Sequence, residues 1–344
     1  MDIINVAIIG TGNIAKHHYA GYARDSRARV VAVCDLIEDK AKAFAAEHGI
    51  LKVYADAEKL CADDEVQAVS VCTPHPQHAP VTIAAAQAGK HVICEKPMAV
   101  TTADADRMIA ACEVGGVKLA VIYQRRWWAA AQRLRRAIDE DRLGRLILAD
   151  CLVKWKRAAE YYARDPWRGK WDLEGGGVTI NQAPHALDML LWYMGEAAQV
   201  HAHWANFTHP TVEVEDTAVA TVKFKSGALG VISLCVSQDP GLWSRITVHG
   251  DNGSSASVAE IPEGAPGIND LWTLPGDEDK VAAWQTEDLK TPSFPDCHAA
   301  QLADFLDAII ENRDPAVTGR AGRKSVALIE AMYRSGRTGE VVTL

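Results

Sequence analysis

The chain has 344 residues, more than a single hydrophobic core usually supports, so about two domains are expected. With 48% hydrophobic and 24% charged residues it has the balance of a globular protein, which sets aside disordered and membrane-spanning classes. A formal net charge of -9 with no run of five or six like charges argues against nucleic-acid or anionic-membrane partners and leaves small molecules.

The N-terminal stretch MDIINVAIIG has no basic segment and enters a strand at once, and no apolar run is long enough to span a bilayer. The eight cysteines form no CxxC pair, and several lie in apolar runs such as VVAVCD and HVICEK. They read as buried free thiols in a reducing compartment, which makes the cytoplasm the expected location.

In chain order, apolar β-rich runs at 3–9, 28–34, 66–72, 90–94 and 117–122 alternate with Ala-rich segments of helical periodicity, notably 36–48 and 101–114. That is a βαβ series, hence a doubly wound parallel sheet covered on both faces. From residue 123 the texture changes to longer alternating strands at 145–156, 198–207 and 216–225, the last joined to 228–237 across Ser226-Gly227 as a hairpin. The tail returns to helix, with Leu302, Phe305, Leu306, Ile309 and Ile310 on one stripe. The expected fold is therefore α/β: a Rossmann domain over 1–122, then an α+β domain over 123–344 with a large, mostly antiparallel sheet.

The first chemical motif is GTGNIA at 10–15, placed between a strand and a helix. Gly10 permits the tight turn, Gly12 lets the backbone approach a pyrophosphate, and Asn13 and Ile14 open the helix whose N-terminus faces the phosphates. Asp35 ends the next strand, where its carboxylate can accept hydrogen bonds from a ribose, favouring NAD over NADP. In CTPHPQH at 72–78, Thr73, Pro74 and His78 fall at a strand C-terminus, where ligands of such sheets bind. Glu95-Lys96-Pro97 puts a cation at the end of the next strand, able to polarise a hydroxyl or join a proton relay.

Within EGGGVTINQAPHALD at 174–188, Asn181, His185 and Asp188 recur at helical spacing, with Trp192 one turn further. A helix through them presents a polar face, while Leu187, Leu190, Leu191 and Met194 point elsewhere. Gly175 to Gly177 allow the backbone to pass close to cofactor and substrate. His185 and Asp188 lack a third ligand at suitable spacing, so no metal site is expected. Asp188 suits a structural partner to backbone or an arginine.

Together GTGNIA, Asp35, the TP with His78, the EKP at 95–97 and the GGG…H..D at 175–188 resemble the Gfo/Idh/MocA family of NAD(P)-dependent oxidoreductases, across essentially the whole chain. The resemblance implies an active site between the two domains, oligomerisation through the second sheet as a homodimer or homotetramer, and His185 as proton acceptor from a substrate hydroxyl. It also implies an acidic residue one turn before the histidine. Here that position is Asn181, which keeps the hydrogen-bonding shape and removes the charge.

All ten tryptophans follow residue 122, in the part assigned to substrate, and an indole packs well on the apolar face of a carbohydrate. Trp167 and Trp171 are the expected ligand contacts, and Arg168 is expected to reach cofactor or a neighbouring subunit. Tyr123 and Arg126 are candidates to line the pocket, with hinge packing as the alternative, and His298 is a candidate to project into it. The expected activity is NAD-dependent oxidation of a secondary hydroxyl of a sugar, glycoside or cyclitol, with Lys96, His185 and Asn181 carrying the chemistry. Reduction of a keto-sugar, nucleotide sugar or other carbonyl, and a non-enzymatic NAD or sugar sensor, are the rival readings.

Overall fold

The computed structural model describes residues 3–290 and 296–344, which divide into two compact units. In the first, six strands form one sheet: β1 (Ile4–Ile9), β2 (Ala28–Cys34), β3 (Lys52–Tyr54), β4 (Ala68–Val71), β5 (His91–Cys94) and β6 (Leu119–Val121). Their order is β3-β2-β1-β4-β5-β6 and every pairing is parallel. This order reverses direction beside β1, placing the ends of β1, β4 and β5 at the switch point where such sheets bind ligands. Five strands match the apolar runs. β3 was not anticipated, because three half-buried residues carry no periodicity to read.

The first unit is not continuous in sequence. It comprises residues 3–123 together with 296–326, whereas the sequence reading divides the chain once, at 122/123. The reason is apolar: Leu302, Phe305 and Leu306, on the helix Asp296–Ile310, pack with Ile4, Tyr22, Ile93 and Ala120 in one buried cluster. Leaving that stripe exposed would cost on the order of 1.5–3 kcal/mol for each large side chain.

The second unit, residues 124–290 and 327–344, is built on eight strands: β7 (Leu146–Lys154), β8 (Ala197–Ala205), β9 (Thr217–Phe224), β10 (Leu229–Cys235), β11 (Ser244–Gly250), β12 (Ser255–Glu260), β13 (Gly267–Ile268) and β14 (Val342–Thr343). Their order is β13-β12-β11-β7-β10-β9-β8-β14, antiparallel except for β7 with β10. The expected hairpin is present, with Gly227 at φ 91 turning β9 into β10. Residues of β9 alternate strictly between buried and exposed, so this sheet has one face in the core, and Val219, Leu229 and Val231 sit on its open side. The helix Pro184–Met194 packs on β7 and β11. All eight cysteines are buried and free, and among the described residues no helix is long and apolar enough to cross a membrane.

Candidate active site

The glycine motif ends β1. Gly10 has φ 93, and a Cβ there would lie 2.6 Å from the Cys72 carbonyl oxygen, so both conformation and space demand glycine. Gly12 differs: its φ is -73 and a Cβ would meet nothing within 4 Å. Neither conformation nor packing inside the protein needs glycine there, which is the pattern expected where a ligand approaches the backbone. The helix Asn13–Ala23 that follows has no side-chain cap, leaving its first N–H groups for an anion. Asp35 ties the loop together, its Oδ2 accepting from the Thr11 N–H and hydroxyl at 2.9 Å each. These residues fit a dinucleotide: the Gly12–Asn13 turn would hold its pyrophosphate and Asp35 would face its ribose.

Thr73 and Pro74 leave β4 in a loop that His78 binds to the neighbouring one. His78 is fully buried, its Nδ1 2.7 Å from the Pro97 carbonyl oxygen and its Nε2 2.8 Å from that of Thr73. Burial lowers its pKa, against the two carbonyl bonds. Its role in this structure is to hold loops, and Thr73 and Pro74 are left at the surface of the switch point. Lys96, partly exposed, follows β5 on the same turn. The Glu95 side chain turns inward instead of toward solvent: Oε1 is 3.0 Å from His18 Nε2 and 3.4 Å from His298 Nε2, and Oε2 accepts the Lys96 N–H at 3.1 Å. Burial works to raise the Glu95 pKa, but the two imidazoles outweigh it and hold the carboxyl well below its usual range. His298, expected among substrate contacts, is 1% exposed and belongs to this interior group.

In the second unit the GGG turn corrects two expectations. A Cβ on Gly176 would lie 2.0 Å from the Tyr333 hydroxyl, and one on Gly177 would lie 1.9 Å from the Glu215 carbonyl oxygen. These glycines are required by packing within the unit rather than by a passing ligand. Nor does one regular helix carry Asn181 and His185. Residues Val178–Gln182 form a π-turn, and the α-helix begins at Pro184, whose ring cannot donate an N–H and whose φ suits a first turn. The wider turn breaks the 3.6-residue register, so the single polar face expected over 181–192 does not form.

Two buried carboxylates hold that turn. Glu215 accepts from Gly177 N–H, Thr179 N–H and the Tyr333 hydroxyl, each at 2.9 Å, and burial raises its pKa. Glu174, 1% exposed, accepts from Gly169 N–H at 2.5 Å and from Asn181 Nδ2. Burial pushes its pKa up to about 7 against those bonds. Asn181 also donates to Tyr161 Oη at 3.1 Å. The carboxyl group that asparagine lacks is thus supplied by Glu174, which burial holds toward its neutral form. Sequence patterning offered no sign of Glu174, Glu215 or Tyr161, since each acts on partners far along the chain or hidden among other acids and aromatics.

His185 stands in the first turn of the helix at 9% exposure. Asp188 lies buried beneath and takes both guanidinium N–H groups of Arg126, at 2.6 and 2.7 Å, as a structural partner. Arg126, a candidate for the pocket, is thereby committed to the interior and also lies over Trp192. Arg168 donates to Asp165 and Tyr161 and stacks on Trp167 and Tyr161, an internal role where a cofactor or subunit contact was expected. Trp171 packs against Trp204 and Tyr333. Tyr123, in the first unit, is 1% exposed and its N–H is bound to Gln301, so packing is its role.

The profile of the oxidoreductase family with an NAD-binding Rossmann fold, GFO/IDH/MocA, matches residues 4–123, and that of the GFO/IDH/MocA C-terminal domain matches 131–256. A 1,5-anhydro-D-fructose reductase from Ensifer adhaerens is 30% identical over 345 residues, covering 98% of this chain and 97% of that protein. The chain belongs to the Gfo/Idh/MocA family. Another relative, the myo-inositol 2-dehydrogenase of Thermotoga maritima, is 28% identical over 96% of each chain. Among solved structures, the WlbA dehydrogenase of Bordetella pertussis in complex with NADH and UDP-GlcNAcA superposes with a TM-score of 0.92 at 32% identity, covering 100% of this chain and 98% of that one. The Gfo/Idh/MocA protein described here is an NAD-binding oxidoreductase acting on CH–OH groups.

Proposed function

We propose that the enzyme oxidises a secondary hydroxyl of a sugar, glycoside or cyclitol. His185 accepts the hydroxyl proton, Lys96 polarises and orients the oxygen, and Asn181 hydrogen-bonds the substrate or His185. NAD, when bound, supplies the ring that accepts hydride from the same carbon. The observation that carries this reading is that Lys96 sits on a turn tied to the buried Glu95 carboxylate, and His185 opens the helix that follows a turn held by the buried Glu215. Asp35 favours NAD, because a carboxylate accepts a ribose hydroxyl and repels a phosphate in its place. The free, buried cysteines suit a cytoplasmic enzyme.

Within that class a nucleotide-linked sugar acid is favoured by one finding, the TM-score of 0.92 to an enzyme held with UDP-GlcNAcA. The test is a thermal-shift screen of myo-inositol, simple glycosides and UDP-GlcNAcA with and without NAD, followed by NADH formation. Stabilisation by at least one of them that depends on NAD, with NADH formed, is expected. A panel that neither stabilises the NAD-bound protein nor yields NADH sinks the reading.

A further inference from the structure

The first unit contains a polar cluster that no step above uses. His18, Glu95 and His298 come from the helix Asn13–Ala23, the end of β5 and the helix Asp296–Ile310, and all are buried. Behind His18 the chain of bonds continues, with Nδ1 3.0 Å from Ser70 Oγ and that oxygen 2.9 Å from Tyr22 Oη. Burial raises the Tyr22 pKa, so its hydroxyl stays a donor. One set of directions closes without a gap: Tyr22 donating to Ser70, Ser70 to His18 Nδ1, and His18 Nε2 to Glu95. A buried carboxylate with this many committed donors is fixed in place, because each lost partner leaves a desolvated group unpaired.

On its other side Glu95 takes the Lys96 amide, and one residue further His78 holds the Pro97 carbonyl. The three residues of the EKP turn are therefore gripped at both ends by imidazoles from three helices, while the Lys96 side chain is the partly exposed member. We propose that His18, His78 and His298 form a buried clamp that presets Lys96: they are positioning residues which act through the Glu95 carboxylate and the Pro97 carbonyl and touch neither substrate nor cofactor. The catalytic meaning of the clamp rests on the reading of Lys96 given above.

The same donors could be read as a metal site, since the ligand atoms of His18, Glu95 and His298 lie within 4.8 Å of one another. The geometry favours hydrogen bonds. Two ligands about 2.1 Å from one tetrahedral ion stand roughly 3.4 Å apart, a spacing that the His298–Glu95 pair has but that the 3.0 Å His18–Glu95 pair, at an N–H···O separation, does not. The second carboxylate oxygen is already committed to the Lys96 amide.

The test needs no turnover. Amide hydrogen exchange of the full-length protein, followed at the Lys96 N–H, reports the clamp directly. His18→Leu and His298→Leu should each speed that exchange by ~10-fold or more, the equivalent of one net hydrogen bond, while slow amides of β1 and β4 stay slow and NADH still binds by fluorescence. His298→Gln, which can offer an N–H to Glu95, should restore slow exchange and keeps the test open if a leucine variant does not fold. Three results overturn the clamp: unchanged Lys96 exchange in the folded variants, uniform acceleration across the unit with no rescue by glutamine, or one zinc ion per chain in the purified protein that is lost in His298→Gln. Inactivity toward every sugar of the screen would instead sink the proposed function and leave the clamp standing.

Discussion

The turn that carries Lys96 and the turn that precedes His185 are held by opposite chemistry. Around Lys96 the supports are imidazoles, with His78 on the Pro97 and Thr73 carbonyls and His18 and His298 on Glu95. Before His185 the supports are carboxylates, with Glu174 on Gly169 and Asn181 and Glu215 on Gly177 and Thr179. The difference follows from what each backbone leaves unpaired. The Pro97 and Thr73 carbonyls face His78, whereas the Lys96 N–H, like those of Gly177 and Thr179, is met by a carboxylate, and that of Glu95 is in turn backed by His18 and His298. A side chain chosen to hold a turn is the complement of the backbone it holds, and its charge at the site is a by-product.

The comparison is broken most severely at the reacting groups themselves. Lys96→Ala and His185→Ala should each lower kcat by ~10² or more with the fold and NADH binding retained, since acid–base groups typically contribute 10²–10⁴. Near-parental turnover in either variant removes that residue from the chemistry. Next comes Glu215→Leu, which strands two backbone N–H groups and the Tyr333 hydroxyl in the core. It should destabilise the protein by ~3 kcal/mol or more, at about 1–3 kcal/mol per buried unpaired group, read by denaturant unfolding.

Glu174 sharpens the contrast through pH. Its folded pKa is raised from 4.5 to about 7, so the neutral acid is the form the fold favours, and the stability this gives is complete below 4.5 and lost as pH rises through about 7. Glu174→Gln cannot ionise. Its stability relative to the parent should therefore improve by ~1–3 kcal/mol from pH 4.5 to pH 8, measured by unfolding at each pH. A pH-independent difference means that Glu174 keeps an ordinary pKa. The smallest effect is expected for Asn181→Asp, which sets a second carboxylate against Glu174. Like charges in contact keep one proton between them, so the variant should lose ~1 kcal/mol more at pH 8 than at pH 5, measured by unfolding at both.

What the sequence disclosed tracks how local the determining physics is. The parallel sheet, the hairpin at Ser226-Gly227 and the fingerprint glycine Gly10 follow from period and turn geometry within a dozen residues. Gly176 and Gly177 were legible as glycines but not in their reason, because the atoms they avoid belong to Tyr333 and Glu215. Pro184 starts the α-helix and nothing nearby marks the π-turn before it, so the 3.6-residue wheel read from Asn181 ran one turn too far back. Asp188 was read as a partner for an arginine, while the same pairing withdrew Arg126 from the candidate pocket. His298 was visible only as a histidine on an apolar helix. That its helix returns to the first unit depends on the fit of Leu302, Phe305 and Leu306 to Tyr22 and Ile93, which no stripe by itself specifies.

That returning helix imposes an order on synthesis. A ribosome making this protein releases the six-stranded sheet within the first 123 residues, but the patch of Tyr22, Ile93 and Ala120 stays uncovered until the segment from 296 onward has emerged, after most of the second unit. The nascent nucleotide-binding half therefore waits with apolar surface and a half-empty grip on Glu95 until a segment made about 170 residues later completes it.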